Sequence, residues 1–360
     1  MLGRKYAFLA TTALVSSLAL TGCFGYGDDN NVAAPLEDPD PVLGVFGLEV
    51  GVPVNLISAT RGDGVSFDKY AVTFNDEEGN SITLTLPDGE EITFTEADIE
   101  YVTDLYGRPR ISMASDDGDQ IEFVVGILSG DQVDPDCEDD CVMEDDIPVY
   151  AVGRIDEANS WDGFESYGVV GMQTDPMALP RGEIEIVEGE EVGGELIEGH
   201  ADYDGKFVAS LYVDGQIVSD DVKGSAWIDI DFANDLVEFD AKGGYWYAPD
   251  HDWYSVNLSG EGGPDDIDFS TSTVYSGDLE GSVEAKLCYH CDSYGYSVEG
   301  EFAGAVYGPG GTPGDDPDEV LGDTATAGVF EASSEDNDVM IVGGFGSLEG
   351  EYREDSLLDE

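Results

Sequence analysis

Basic residues are scarce in this chain. Only 13 Lys+Arg stand against 80 Asp+Glu, a formal net charge of −67 over 360 residues. A surface so poor in cations cannot neutralise phosphates and release their counterions, which excludes nucleic acid as a partner. Ordinary attraction to anionic lipid is excluded on the same ground. Lysine is confined to Lys5, Lys69, Lys206, Lys223, Lys242 and Lys286, and histidine to His200, His251 and His290. Long stretches of 3.6-residue periodicity are also missing, which argues against a helical fold. Residues 96–105, capped by Thr95, are the one stretch that predicts a short helix. What remains is sufficient for a core. Apolar residues make up 41% and aromatics 10%, more than acidic disordered chains carry. The length suggests about two domains.

The acid is dispersed along the chain rather than gathered in a tail. Dispersed carboxylates on a folded surface bind solvent and need counterions to screen their repulsion, so the composition points to a salty medium. The competing reading is calcium binding by acidic loops, but no loop shows the spaced ligands of an EF-hand.

The N-terminus reads as an address. Arg4 and Lys5 precede an apolar stretch, 6–20, that is short for a membrane span. Leu20-Thr21-Gly22-Cys23 follows and resembles a lipobox. The resemblance implies a bacterial lipoprotein, with a signal peptide over 1–22 and diacylglycerol and palmitate on Cys23. Phe24 stands where an inner-membrane lipoprotein carries Asp, which implies the outer membrane. Residues 23–41 lack hydrophobic periodicity and read as a flexible acidic tether.

From Val42 onward the dominant period is two. Ile82, Leu84 and Leu86 alternate with polar residues, Pro87-Asp88-Gly89 supplies a turn, and Ile92 and Phe94 resume. Ile121, Phe123 and Val125 form a further strand. The second half is more regular: Ile228/Ile230/Phe232, Tyr254/Val256/Leu258, Val283/Ala285/Leu287, Val298 to Val306, and Met340/Val342 each line one face. Glycine, 47 residues, sits inside and at the ends of these strands, as expected where strands coil tightly. About eight strands between 194 and 345 predict a small closed barrel filled by side chains. The expected fold class is all-β, a β-rich handle-like domain followed by an antiparallel β-barrel.

Several segments in this half resemble the β-barrel domain of transferrin-binding protein B and related surface lipoproteins. Thr174 to Pro180 is similar to the lead-in of that family. Gly199-His200-Ala201-Asp202-Tyr203-Asp204-Gly205 resembles its Gly-x-Ala-x-Tyr-x-Gly strand, and Ile230-Asp231-Phe232-Ala233-Asn234 its Val-Asp-Phe-x-Asn strand. Glu301 to Pro309 resembles its Gly-x-Phe-Tyr-Gly-Pro hallmark. Gly328-Val329-Phe330 and Gly343-Gly344-Phe345-Gly346 match its last strands. The resemblance covers about 170–347 and implies a handle over 42–168, a barrel over 169–347 and an acidic tail over 348–360. It also implies a single handle–barrel lobe where larger members have two.

Beyond Cys23 the cysteines form two local pairs, Cys137/Cys141 and Cys288/Cys291. In an exported protein such pairs read as disulfides. A redox role for Cys288 and Cys291 lacks the helix N-terminus that activates such thiols, and a shared zinc site would have to join pairs far apart in sequence. The histidines are isolated in sequence, and no strand–nucleophile–helix context supports a catalytic triad. No metal, cofactor or catalytic residue is therefore expected, and the chain is read as a non-enzyme. The expected function is binding of a ligand or partner by an outer-membrane-anchored lipoprotein exposed at the cell surface. By resemblance, the partner is an iron or haem carrier handed to a TonB-dependent receptor. The alternative is a structural or shielding lipoprotein with no specific ligand. Trp246 and Trp253, within the cluster of Tyr245, Tyr247 and Tyr254, are the candidate ligand anchors, and the competing reading places these aromatics in the barrel core.

Overall fold

The structure is a computed structural model that describes residues 48–76, 81–103, 109–114, 120–130, 144–156, 165–176, 179, 199–247, 252–264, 267–286, 294–308 and 324–349. Three sheets account for nearly all of it. Strands β1 (Val54–Asn55), β4 (Ala71–Phe74), β5 (Ser81–Thr85) and β6 (Glu91–Thr95) form a four-stranded sheet in the order β1-β4-β5-β6. Strands β2 (Ile57–Thr60), β3 (Gly64–Ser66), β7 (Ile99–Thr103), β8 (Pro109–Ala114), β9 (Gln120–Gly130), β10 (Glu144–Asp156) and β11 (Glu165–Gly171) form a seven-stranded one, ordered β3-β2-β11-β10-β9-β8-β7. The remaining eight, β12 (His200–Val213), β13 (Gln216–Asp231), β14 (Leu236–Tyr247), β15 (Asp252–Gly262), β16 (Val274–Lys286), β17 (Tyr294–Tyr307), β18 (Ala325–Ser333) and β19 (Val339–Glu349), close an antiparallel barrel when β19 pairs with β12.

The barrel is solid. Alternate residues of every strand point inward, and five phenylalanines stack at its centre. Phe239 lies 5.2 Å from Phe302, 4.8 Å from Phe345 and 6.0 Å from Phe330, which in turn meets Phe207 edge-on at 5.8 Å. Glycines make room for these rings. A Cβ on Gly343 would sit 2.6 Å from Phe330 Cζ. The few buried hydroxyls are paired, as burial demands: Tyr203 with Thr324 at 2.9 Å, and Tyr275 with Thr326.

The handle is a sandwich whose second face is also covered. Leu56, Val72, Phe74, Ile82, Leu84, Phe94, Ile155 and Val170 fill the space between its two sheets. Ile57, Ala59, Tyr150, Val152, Tyr167 and Val169, on the opposite face of the seven-stranded sheet, pack on Ala303, Ala305, Ala325, Ala327, Val329 and Val342 of the outer barrel wall. Small wall residues let the sheet approach closely. At Gly344 an added Cβ would lie 2.7 Å from Val152 Cγ2. Burial on both faces explains why β2 and the end of β11 are buried at consecutive positions instead of alternating. Strand β11 runs across residue 168.

The helix expected over 96–105 is not formed in its described part. Thr95 N–H and Oγ1 donate to the Asp98 carboxylate at 2.8 and 2.7 Å, and Asp98 N–H returns to Thr95 O. These bonds make a turn, and they hold the exposed Asp98 carboxyl below its ordinary pKa. Ile99–Thr103 then continues as strand β7. Alternation of Ile99, Tyr101 and Thr103 outweighs the capping signal of Thr95 because β8 offers a pairing edge.

One carboxylate is trapped in the seam between handle and barrel. Glu331, only 8% exposed, accepts the Gly62 N–H of the β2–β3 turn and faces Glu301 and Asp63. Asp63 is itself held by Lys69 at 2.7 Å, while Arg61 turns away, its guanidinium 4.5 Å over the Tyr212 ring. Burial raises the Glu331 pKa to about 6, the two acids add to the rise, and the Gly62 bond opposes it. A carboxyl whose folded pKa is raised stabilises the fold fully below its unfolded pKa and loses that contribution as pH rises through about 6. Glu331→Gln is therefore expected to stabilise the protein at pH 8 by about 2 kcal/mol and to be neutral at pH 4. Urea melts at the two pH values check it, and equal shifts at both contradict it.

Candidate functional site

The outer barrel wall is ordered by strand register. Asp202, Asp229, Glu238, Glu261, Asp278, Glu301 and Glu331 are directly opposed, one after another, across seven consecutive strands. Inward neighbours such as Ile230, Val237 and Phe302 are buried, so the row lies on the outside. Directly opposed side chains have Cβ atoms ~5 Å apart, and like charges so placed repel. Four residues further along the strands, Lys206, Ser225, Lys242, Asn257, Ser282 and Ser297 stand in register, and that row contains no acid. The wall is thus acidic towards one end of the barrel and lysine-bearing towards the other.

The two tryptophans expected to anchor a ligand fall in strand segments towards the lysine-bearing end. Trp246 in β14 and Trp253 in β15 are directly paired, and Trp253 also pairs with Lys286. They stand in strands rather than in the loop between them. Of the neighbouring aromatics, Tyr254 is buried, its hydroxyl bonded to Ser219 Oγ at 2.6 Å. That tyrosine belongs to the core, as the competing reading had it. Cys23, Cys137, Cys141, Cys288, Cys291, His251 and His290 lie outside the described residues.

At the acidic end the structure joins residues that are distant in sequence. His200 Nε2 lies 3.1 Å from Asp229 Oδ1 and 3.4 Å from Asp202 Oδ1. Among the described residues this is the one group of three or more His, Cys, Asp or Glu donors within metal-ligating reach. Partial burial raises the Asp229 carboxyl to about 6. His200 opposes that rise, and Asp202, Glu238 and Asp231 reinforce it. Asp231, opposite His200, is committed elsewhere. Its Oδ1 accepts Ala233 and Asn234 N–H at 3.0 Å each, and its Oδ2 accepts Asn234 Nδ2 at 2.7 Å. That is the physical content of the Ile230-Asp231-Phe232-Ala233-Asn234 segment: an Asx turn that ends the strand. Sequence reading singled out the His200 segment only for its family pattern, in which both His200 and Asp202 fall at unspecified positions. Their alternation about Ala201 was the available signal for a shared face.

The sequence matches no family model and no curated protein. Solved structures give distant likenesses. A transferrin-binding protein B mutant from Haemophilus parasuis Hp5 is 11% identical, with 82% of this chain and 59% of that chain covered and a TM-score of 0.35. The haemoglobin receptor HpuA from Kingella denitrificans is 10% identical, with 77% and 79% covered and a TM-score of 0.33. The attachment invasion locus protein Ail of Yersinia pestis is 14% identical, with 41% and 97% covered and a TM-score of 0.25. This chain spans about three fifths of the length of the transferrin-binding protein B structure.

Proposed function

We propose that the protein is a lipid-anchored outer-membrane protein that captures a partner at the cell surface and does not catalyse a reaction. The observation that supports it is the filled barrel. With Phe207, Phe239, Phe302, Phe330 and Phe345 occupying the centre, a ligand is left the outer wall and the strand ends. Partner-binding elements on such scaffolds lie at the periphery of a rigid core. The lysine-bearing end, where Trp246 and Trp253 are opposed in register, is the favoured docking region, because tryptophan is a frequent interface anchor and the opposite end repels acidic partners. The motif resemblance over 170–347 makes an iron or haem carrier, passed to a TonB-dependent receptor, the partner class.

The anchor is tested by fractionation. Cys23→Ser is expected to release the protein from the membrane, and retention in the outer membrane contradicts lipid anchoring through that residue. The docking region is tested by capture from solubilised outer membranes in molar salt. Replacing both Trp246 and Trp253 by Ala is expected to weaken recovery by on the order of 30-fold, the effect of a 2 kcal/mol hot spot. Undiminished recovery by a folded double variant contradicts it.

A further inference from the structure

We propose that His200, Asp202 and Asp229 bind one borderline divalent transition-metal ion, of the zinc class, on the outer wall of the barrel. The proposal is independent of the partner-binding reading. Its basis is geometry. The three donor atoms lie within 4.8 Å of one another, and two of their separations are 3.1 and 3.4 Å. An ion with bonds of ~2.1 Å to nitrogen and oxygen in tetrahedral array has ligands ~3.4 Å apart. The array needs little rearrangement to receive one.

The barrel holds the donors in place. Asp202 and Asp229 are directly opposed on β12 and β13, and His200 precedes Asp202 by two residues on the same face. Their inward neighbours Ala201, Tyr203, Ile228 and Ile230 are buried, which fixes both backbones. A site carried on rigid strands loses little entropy on loading.

The imidazole sets this group apart from the rest of the acidic wall. Carboxylates alone suit hard cations, which take six or more oxygens. A nitrogen donor beside two carboxylates shifts preference towards borderline metals. Asp231 is spent in its turn, so the protein supplies three ligands and leaves at least one position for water or for a donor from a partner. A dication there also offsets the repulsion among Asp202, Asp229 and Glu238.

The test is calorimetric titration of the full chain with Zn²⁺ in molar NaCl at about pH 7.5. It compares wild type with His200→Ala, Asp229→Asn and the control Asp240→Asn, which removes a charge from the adjacent row. One site is expected to vanish or weaken by roughly tenfold or more in the first two variants and to persist in the control, with Ca²⁺ failing to displace Zn²⁺ at equal concentration. The His200 imidazole resonances of the wild type are expected to shift up to one equivalent, a readout independent of any variant's folding. Unmoved His200 resonances, a Zn²⁺ isotherm unchanged by His200→Ala, or equal displacement by Ca²⁺ would overturn the proposal in favour of diffuse counterion uptake.

Discussion

Transfer from molar NaCl to 10 mM NaCl is expected to lower the thermal midpoint by on the order of 10 °C. The seven-member carboxylate row contains consecutive, directly opposed like charges. Each opposition costs ~0.2–1 kcal/mol when unscreened, a few kcal/mol for the row. The screening length is about 3 Å in molar salt, shorter than the spacing across strands, and about 30 Å at 10 mM. In dilute buffer each carboxylate therefore feels the whole row and much of the remaining −67 charge. The same arithmetic makes Glu261→Gln, at the exposed middle of the row, less salt-sensitive than wild type. Melts that coincide in dilute and molar salt contradict the salt-adapted reading. Restoration by micromolar Ca²⁺ alone, in dilute buffer, favours the calcium reading.

Phe239→Ala is expected to cost about 3–5 kcal/mol. Its ring contacts Phe302, Phe330 and Phe345 within 6.0 Å, and the surrounding strands cannot collapse because each is hydrogen-bonded on both sides in the closed barrel. The removed ring therefore leaves most of its volume as a cavity. Phe239→Leu is expected to cost less, since it refills part of that volume. Denaturant unfolding measures both. A loss below about 1 kcal/mol for Phe239→Ala would mean that the barrel centre is a ligand-accommodating space rather than a core, and partner capture at the periphery would lose its main support.

The barrel was legible because most of its strands are covered on one face only, β18 and β19 against the handle being the exceptions. Ile228, Ile230 and Phe232 alternate with acids that must face water, so period two survives in the sequence. The handle was less legible where the seven-stranded sheet is covered twice. Val169 and Val170, or Leu56 and Ile57, are all buried, one of each pair towards the sandwich core and the other towards the barrel. The short helix expected after Thr95 had the opposite fault, a local capping signal without the tertiary contact to realise it.

The acidic row and the His200 group were hidden for a different reason. Acids are so frequent here that no single pair carries information, and only register decides which of them meet. Asp202 and Asp229 are 27 positions apart in sequence yet directly opposed in the barrel. The Asp231 segment, by contrast, was recognisable because its Asx turn is local. Glycine patterns fall between the two: Gly343-Gly344-Phe345-Gly346 was noticed as a motif, but its meaning needed the fold. Gly343 lies under Phe330 inside the barrel, and Gly344 lies under Val152 of the handle.

The central claim is that a solid barrel presents a partner-binding surface outside the cell. It is tested most directly by affinity capture from native outer membranes of the same bacterium in molar salt, using the full-length protein. Specific recovery of a TonB-dependent receptor or an iron- or haem-bearing protein is the predicted result. Recovery of nothing above background by protein shown to be folded would contradict the claim and favour a structural or shielding coat.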